Sequence, residues 1–124
     1  MSTYRDALVY LYSFTDYEKQ GFAAYAPEFY NLDRVRRLLA LMGDPHRAFE
    51  AVHIAGTKGK GSTAAMIASV LRAAGYRTAL YTSPHLNSFR ERILVAGELI
   101  PEEEVVRLVD EMRPLVSQVE DVTT

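Results

Sequence analysis

The chain has 124 residues, of which 48% are hydrophobic and 24% are charged, and this composition is ordinary for one soluble globular domain. The formal net charge of -2 gives no overall basic field that would bind nucleic acid or an acidic membrane, so any anion needs a local site. The absence of cysteine excludes disulfides and thiolate metal sites, and no apolar run approaches the roughly 20 residues of a bilayer crossing, so we predict a cytoplasmic protein.

Two amphipathic helices are predicted in residues 1–45. The first lies within residues 3–18 and places one apolar set on a single face: Ala7, Leu8, Leu11, Tyr12 and Phe14. The second follows Asn31 as its N-cap and ends at Gly43 and Pro45, and its apolar face comprises Leu32, Val35, Leu38, Leu39 and Met42. Between them, glycine, proline and clustered aromatic rings predict an ordered loop: Gly21, Phe22, Tyr25, Pro27, Phe29 and Tyr30.

The middle of the chain predicts a strand, a glycine-rich loop, a helix and a second strand. AVHIA at 51–55 is typical of a short buried strand, GTKGKGST follows at 56–63, and residues 64–74 predict a helix that Gly75 ends. The next strand is predicted at 77–82. Such a unit normally forms two parallel strands with a right-handed crossover, so the fold class is α/β.

The last part of the chain predicts a long loop and a final helix. Residues 83–100 form the loop and run into a short strand near Ile93 to Val95. Pro101 followed by three glutamates suits the start of a helix, and Pro114 is expected to kink or end it. An open nucleotide-binding sheet usually has about five or six strands, so we expect this chain to be part of a larger protein.

The glycine loop is the strongest chemical signal. Glycines between a strand and a helix let backbone amides approach phosphate oxygens, and Lys60 would reach the β- and γ-phosphates of ATP. The loop departs from GxxxxGK[ST], because Ile54 replaces the first glycine and Gly61 follows the lysine. The alternative interpretation is a glycine-rich turn with solvated Lys58 and Lys60.

Two motifs resemble one family. HIAGTKGKGST at 53–63 closely resembles the HVAGTNGKGST loop of folylpolyglutamate and dihydrofolate synthases, with Lys58 in place of the usual asparagine. SPHLNSFRERI at 83–93 looks like the family's SPHLxxFxERI segment, and residues 29–45 resemble the helix before the loop. The resemblance implies that residues 1–124 are the N-terminal part of a P-loop, mostly parallel-sheet ATPase domain of Mur-ligase type, without the C-terminal glutamate-ligase domain.

The resemblance also implies an activity. Family members use ATP to phosphorylate a carboxylate of folate or dihydropteroate, and the amine of L-glutamate then attacks the acyl phosphate. The implied cofactors are ATP and Mg²⁺; Lys60 would be the catalytic residue, with the metal on Ser83 and Ser62. The matching ATP-binding positions are Gly56, Thr57, Gly59, Lys60, Gly61, Ser62 and Thr63. We expect small-molecule substrates, a monomer at full length, and no catalysis by this chain alone, because the family's other metal ligands lie in later segments.

Several residues keep two interpretations. The candidates for contact with the folate substrate are Tyr25, Phe29, Phe89 and Arg92. Tyr25 and Phe29 could instead form a local packing cluster with Phe22 and Tyr30, and the run Arg90 to Arg92 could be a solvated charge cluster. Ser83 with Pro84 could be an ordinary turn, and His85 is expected to pack or cap rather than catalyse.

Three other classes of protein remain as alternatives. A peptidoglycan Mur ligase or cyanophycin-type ligase usually has threonine directly after the lysine, where this chain has Gly61. A P-loop kinase or GTPase would have the strict GxxxxGK[ST] loop. A non-catalytic nucleotide-binding module fits if the chain is naturally this short, and a gene that continues past Thr124 with Phe-Glu would contradict that interpretation.

Overall fold

The computed structural model describes residues 2–14 and 32–121, which divide into two compact units. The first unit contains helices α1 (Tyr4–Ser13) and α2 (Asp33–Leu41) and most of α4 (Glu102–Asp121). The second unit, residues 51–104, contains helix α3 (Lys60–Ala73) and strands β1 (Ala79–Tyr81), β2 (Ile93–Val95) and β3 (Glu98–Leu99). None of the helices in these ranges has the length and apolar character that a bilayer crossing needs.

Helix α1 begins with a reciprocal cap. The Asp6 backbone N–H donates to the Thr3 hydroxyl at 3.1 Å, and the Thr3 N–H donates to the Asp6 carboxylate at 3.0 Å. Each bond satisfies an N–H that a helix start leaves without an intrahelical acceptor. The first predicted helix is therefore confirmed in a shorter form, and residues 15–18 of the prediction lie outside the described residues.

Helix α2 is confirmed, with its first residue one position later than the predicted N-cap, Asn31, implies. The capping residue is Leu32, which provides no side-chain cap, and its carbonyl accepts the first helical bond from the Arg36 N–H at 2.9 Å. Asn31 lies outside the described residues. The helix ends at the predicted glycine, because Gly43 has φ +85° and lets the next N–H, that of Asp44, fold back to the Leu39 carbonyl at 2.7 Å. A 3₁₀ turn, Pro45–Arg47, follows.

Helix α4 supplies most of the buried side chains of the first unit. Val105, Val109 and Val119 are buried on it, and Ala7 of α1 is buried as well. The predicted start is confirmed, with three glutamates in the first turn. The helix continues through Pro114 to Asp121, so an end at that proline is wrong. A proline inside a helix costs about 3 kcal/mol, and burial of Val119 beyond it offsets part of that cost.

The sheet of the second unit is antiparallel, with strand order β1-β2-β3. Leu80 pairs with Leu94 across β1 and β2, and Val95 pairs with Glu98 across β2 and β3. The second and third strands are joined by Ala96 and Gly97, whose φ values of 53° and 82° suit a type I′ hairpin turn. The strand predicted at 77–82 is confirmed in a shorter form, Ala79–Tyr81, and the strand near Ile93 to Val95 is confirmed. The sequence did not predict β3 or this hairpin.

The strand predicted at 51–55 is wrong. These residues have no regular structure, and all but Ile54 are exposed. Helix α3 also begins at Lys60, four residues before the predicted start at 64. A strand exists only when a neighbour completes its hydrogen-bond ladder, and the described sheet pairs β1 with β2 in antiparallel fashion instead. The parallel pair expected from the strand–helix–strand pattern is therefore absent from the described residues.

Candidate functional site

The glycine loop leads directly into the first turn of α3. Gly59 is the N-cap residue of this helix, with φ +74° in the left-handed region, and Lys60 is its first residue. Gly56 has φ +150°, a conformation that side chains with a Cβ rarely adopt. A Cβ placed on Gly56 would lie 4.0 Å from the Lys60 Cγ, so the lysine stem runs close to the beginning of the loop.

The start of α3 presents backbone donors to solvent. The first intrahelical bond runs from the Thr63 N–H to the Gly59 carbonyl at 3.0 Å, so the amides of residues 60–62 have no acceptor within the helix. No side chain caps this helix end, its first turn contains no acidic residue, and residues 56–63 are all exposed. Such an end attracts anions, because the amides and the helix dipole both favour negative charge.

A second loop, residues 82–92, is closed at its ends. The Thr82 N–H donates to the Arg92 carbonyl at 3.0 Å, and the Arg92 Nε donates to His85 Nδ1 at 2.7 Å. Ser83 is exposed and lies between these two attachment points, followed by a cis peptide bond to Pro84. The packing role expected for His85 agrees with its bond to Arg92.

Glu91 organises the middle of this loop. Its carboxylate accepts the backbone N–H groups of Leu86 at 3.1 Å, Asn87 at 2.9 Å and Ser88 at 2.6 Å. The amides of Leu86, Ser88 and Asn87 lower the pKa of the carboxyl below its ordinary value of 4.5. Ser88 completes a capping box for the 3₁₀ turn Phe89–Arg92. The sequence prediction missed this role, although the S-x-x-E spacing is a signal that could have found it.

The charged residues of this loop, Arg90 to Arg92, form hydrogen bonds and ring contacts within the second unit. Arg90 Nε donates to the carbonyl of buried Ile100 at 2.6 Å. The Arg92 guanidinium lies 5.8 Å from the centre of the Phe89 ring, and the ring of His85 meets that of Phe89 edge-on at 6.2 Å. The alternative of a solvated charge cluster is therefore wrong for Arg90 to Arg92, which are all half-buried.

The predicted site residues thus fall into three groups. The phosphate-binding candidates from Gly56 to Thr63 come together at the start of α3, and Phe89 and Arg92 come together in the second loop, which also contains Ser83. Tyr25 and Phe29 lie outside the described residues.

The candidate magnesium ligands among the described residues are hydroxyl groups rather than a carboxylate cluster. The described residues contain no group of three or more His, Cys, Asp or Glu side chains that could hold a metal. The exposed hydroxyls of Ser62 and Ser83 are hard oxygen donors, which suit Mg²⁺. Magnesium usually takes one or two protein ligands together with substrate phosphates and water, so these residues fit a metal carried with ATP rather than an all-protein cage.

Comparison with known proteins gives one consistent result. The chain is 47% identical over 85 residues to a dihydrofolate synthase/folylpolyglutamate synthase of Bacillus subtilis, a match that covers 68% of this chain and 20% of the relative. No protein-family model matches the chain.

Two solved structures extend the comparison to the fold. Folylpolyglutamate synthase of Mycobacterium tuberculosis in complex with ADP is 40% identical with a TM-score of 0.70, over 73% of this chain and 20% of that one. A complex of a folylpolyglutamate synthase with AMPPCP and folate is 33% identical with a TM-score of 0.80, over 97% of this chain and 27% of that one. These matches confirm the predicted Mur-ligase-type α/β fold class, and the chain spans 20 to 27% of the length of these three proteins.

Proposed function

Because this chain belongs to the folylpolyglutamate and dihydrofolate synthase family, we propose that it is the phosphate-binding part of an ATP-dependent ligase. The ligase adds L-glutamate to folate, to dihydropteroate or to both. The observation that carries the proposal is the open start of α3, where left-handed Gly59 precedes Lys60 and three amides without an intrahelical acceptor. The ADP and AMPPCP complexes of relatives support a nucleotide as the ligand.

The triphosphate of ATP is proposed to bind across the loop and the first turn of α3. The amides of residues 60–62 would donate to phosphate oxygens, while the Lys60 ammonium offsets the charge on the γ-phosphoryl group during transfer. The proposed ATP-binding residues are Gly56, Thr57, Gly59, Lys60, Gly61, Ser62 and Thr63. Gly56 and Gly59 have no Cβ, so phosphate oxygens can approach the main chain there. Their φ values of +150° and +74° disfavour any other residue.

The proposed reaction has two steps. A carboxylate oxygen of the pterin substrate attacks the γ-phosphorus of ATP and forms an acyl phosphate, with ADP as the leaving group. The amine of glutamate then attacks the acyl carbon, which expels phosphate and forms the amide. Magnesium, held by Ser62 and Ser83 with the phosphates, would reduce the negative charge that opposes the first attack. Lys60 would act on the same charge from the helix end.

The pterin substrate is proposed to bind beside the second loop. The ring of Phe89 offers a stacking surface, and the guanidinium of Arg92 next to it offers positive charge for a carboxylate. Tyr25 and Phe29 remain proposed substrate contacts. We also propose that the complete enzyme is monomeric and cytoplasmic and acts on small molecules. It is not expected to bind nucleic acid or membrane, and the net charge of -2 agrees with this expectation.

The test is a turnover assay on the complete gene product. ADP formation is measured with ATP, Mg²⁺ and glutamate, with dihydropteroate or tetrahydrofolate as the acceptor. We expect ADP only when acceptor and glutamate are both present, and Lys60→Ala should lower kcat by about 100-fold or more. The matched control is Lys58→Ala, an exposed lysine of the same loop, which should change kcat less than about threefold.

Three outcomes would contradict the proposal. Equal effects of the two lysine variants would remove Lys60 from the phosphate site. Turnover with UDP-linked muramyl acceptors or with cyanophycin, in place of pterins, would keep the glycine loop as a phosphate site and transfer the chain to a Mur-type or cyanophycin-type ligase. A protein that binds ATP without turning over any acceptor would be a nucleotide-binding module.

A further inference from the structure

Glu91 has an unusual set of bonds for a half-buried loop residue, since its carboxylate accepts three backbone amides of its own loop. We propose that Glu91 is a positioning residue, which holds loop 82–92 in the shape that presents Ser83 to the ATP-dependent reaction. The inference rests on the proposed function for the role of Ser83. The geometry of the loop itself is independent of that function.

The Glu91 carboxylate is shared between three backbone donors. Oε1 accepts the Leu86 N–H at 3.1 Å, and Oε2 accepts the N–H groups of Asn87 and Ser88 at 2.9 and 2.6 Å. Three successive peptide units are therefore held by one side chain. Because both oxygens are used as acceptors, an amide side chain of the same size would place an NH₂ group against at least one backbone donor.

The residues on either side of Ser83 are held by a shared partner. Thr82 before it and His85 after it are both attached to Arg92, through its carbonyl at 3.0 Å and its Nε at 2.7 Å. The segment held by Glu91 begins at Leu86, directly after His85. Ser83 thus lies in a short span, residues 82–85, and Glu91 holds the segment that follows it. Loss of the carboxylate would release that segment directly after His85, which is bonded to Arg92.

The loop is also connected to the rest of its unit. The Ser88 hydroxyl accepts the Arg90 N–H at 3.2 Å, and Arg90 Nε donates to the Ile100 carbonyl at 2.6 Å. The turn that presents the Glu91 carboxylate is therefore itself anchored to the chain beyond β3. An anchored carboxylate orders the amides that it binds, whereas a mobile one would lose side-chain entropy in doing so.

The first experiment measures amide hydrogen exchange in the 124-residue chain and in its Glu91→Gln variant. We expect the protection of the Leu86, Asn87 and Ser88 amides to fall at least about tenfold in the variant. The β1 and β2 amides should keep their protection, which shows that the unit is still folded. The matched control is Glu98→Gln, an exposed glutamate in β3 of the same unit, which should leave the loop amides unchanged.

The second experiment separates positioning from nucleotide binding in the complete gene product. Glu91→Gln should lower kcat for glutamate ligation about tenfold or more, while the affinity for ADP without Mg²⁺ stays within about twofold. Unchanged loop protection, or lost protection with full turnover, would overturn the inference. Turnover of the parent protein is measured before any variant is compared. A parent that does not ligate glutamate would refute the proposed function rather than the role of Glu91.

Discussion

At the scale of single residues, the β2–β3 turn shows how backbone conformation selects side chains. Both turn residues have positive φ, 53° at Ala96 and 82° at Gly97. Alanine is an uncommon choice in this region, because its Cβ crowds the following carbonyl. A Cβ at Gly97 would also overlap the Nη1 atom of Arg72 in α3. A larger side chain is therefore expected to destabilise the turn at position 97, whereas asparagine is expected to stabilise it at position 96.

We expect Gly97→Ala to lower the free energy of unfolding by about 1 to 3 kcal/mol, since the new methyl group adds backbone strain and displaces Arg72. Urea denaturation followed by circular dichroism measures the change. Ala96→Asn is the matched variant, and it should raise the stability by up to about 1 kcal/mol because Asn-Gly is the preferred type I′ pair. A Gly97→Ala variant as stable as the parent would show that the turn has another conformation.

At the scale of elements, the caps determine where the helices begin and end. The capping box of α1 joins Thr3 and Asp6, and the pKa of the Asp6 carboxyl is lowered, first by the Thr3 backbone N–H and then by the Thr3 hydroxyl. A lowered pKa in the folded state means that folding favours the carboxylate. The contribution of this cap is therefore complete above the ordinary pKa of 3.8 and is lost as the pH falls through the lower folded value.

We predict that Asp6→Asn reduces the dependence of stability on pH in the acid range below about 4. The free energy of unfolding is measured from pH 2 to pH 7 in the parent and the variant, and the two curves should differ most at neutral pH. Asp33→Asn is the control, because Asp33 lies in the first turn of α2, which has no side-chain cap. Parallel curves for Asp6→Asn and the parent would contradict the role of the carboxylate.

At the scale of the whole molecule, little of the described chain is fully buried. The buried hydrophobic residues of the described ranges are Ala7, Ile100, Val105, Val109 and Val119, whereas Met66 and Val70 of α3 are more than 60% exposed. A phosphate ligand at the start of α3 would thus add stability to a unit with a small core. Ligand binding to the folded state stabilises it by about 2.7 kcal/mol at 100 times the dissociation constant.

We therefore expect ADP to raise the melting temperature of the chain, and Gly59→Ala to abolish that rise. The substitution strains a left-handed position with φ +74° and displaces the amides that follow it. Gly75→Ala is the matched control, since Gly75 has φ +95° and open space around it at the other end of α3. Both variants should melt below the parent, but only Gly75→Ala should keep the ADP-dependent shift; equal shifts would exclude the loop as the phosphate site.

The sequence by itself determined the local features. Helices α1, α2 and α4 follow from apolar spacing and end signals such as Gly43, because helical bonds join residues four apart. The glycine loop and its lysine were also predictable, since a left-handed helix start needs glycine. Motif resemblance supplied the family, which the related sequences and structures support.

Only the tertiary structure decided which distant residues meet. The direction and partner of β1 depend on β2, more than ten residues later, and nothing in the local pattern at 51–55 or 77–82 encodes that choice. The bonds of Glu91 and Arg92 likewise require loop 82–92 to close on itself. The charged sequence of Arg90 to Arg92 is by itself compatible with a solvated cluster. Only the closed loop brings these side chains within hydrogen-bonding distance of the backbone and of His85.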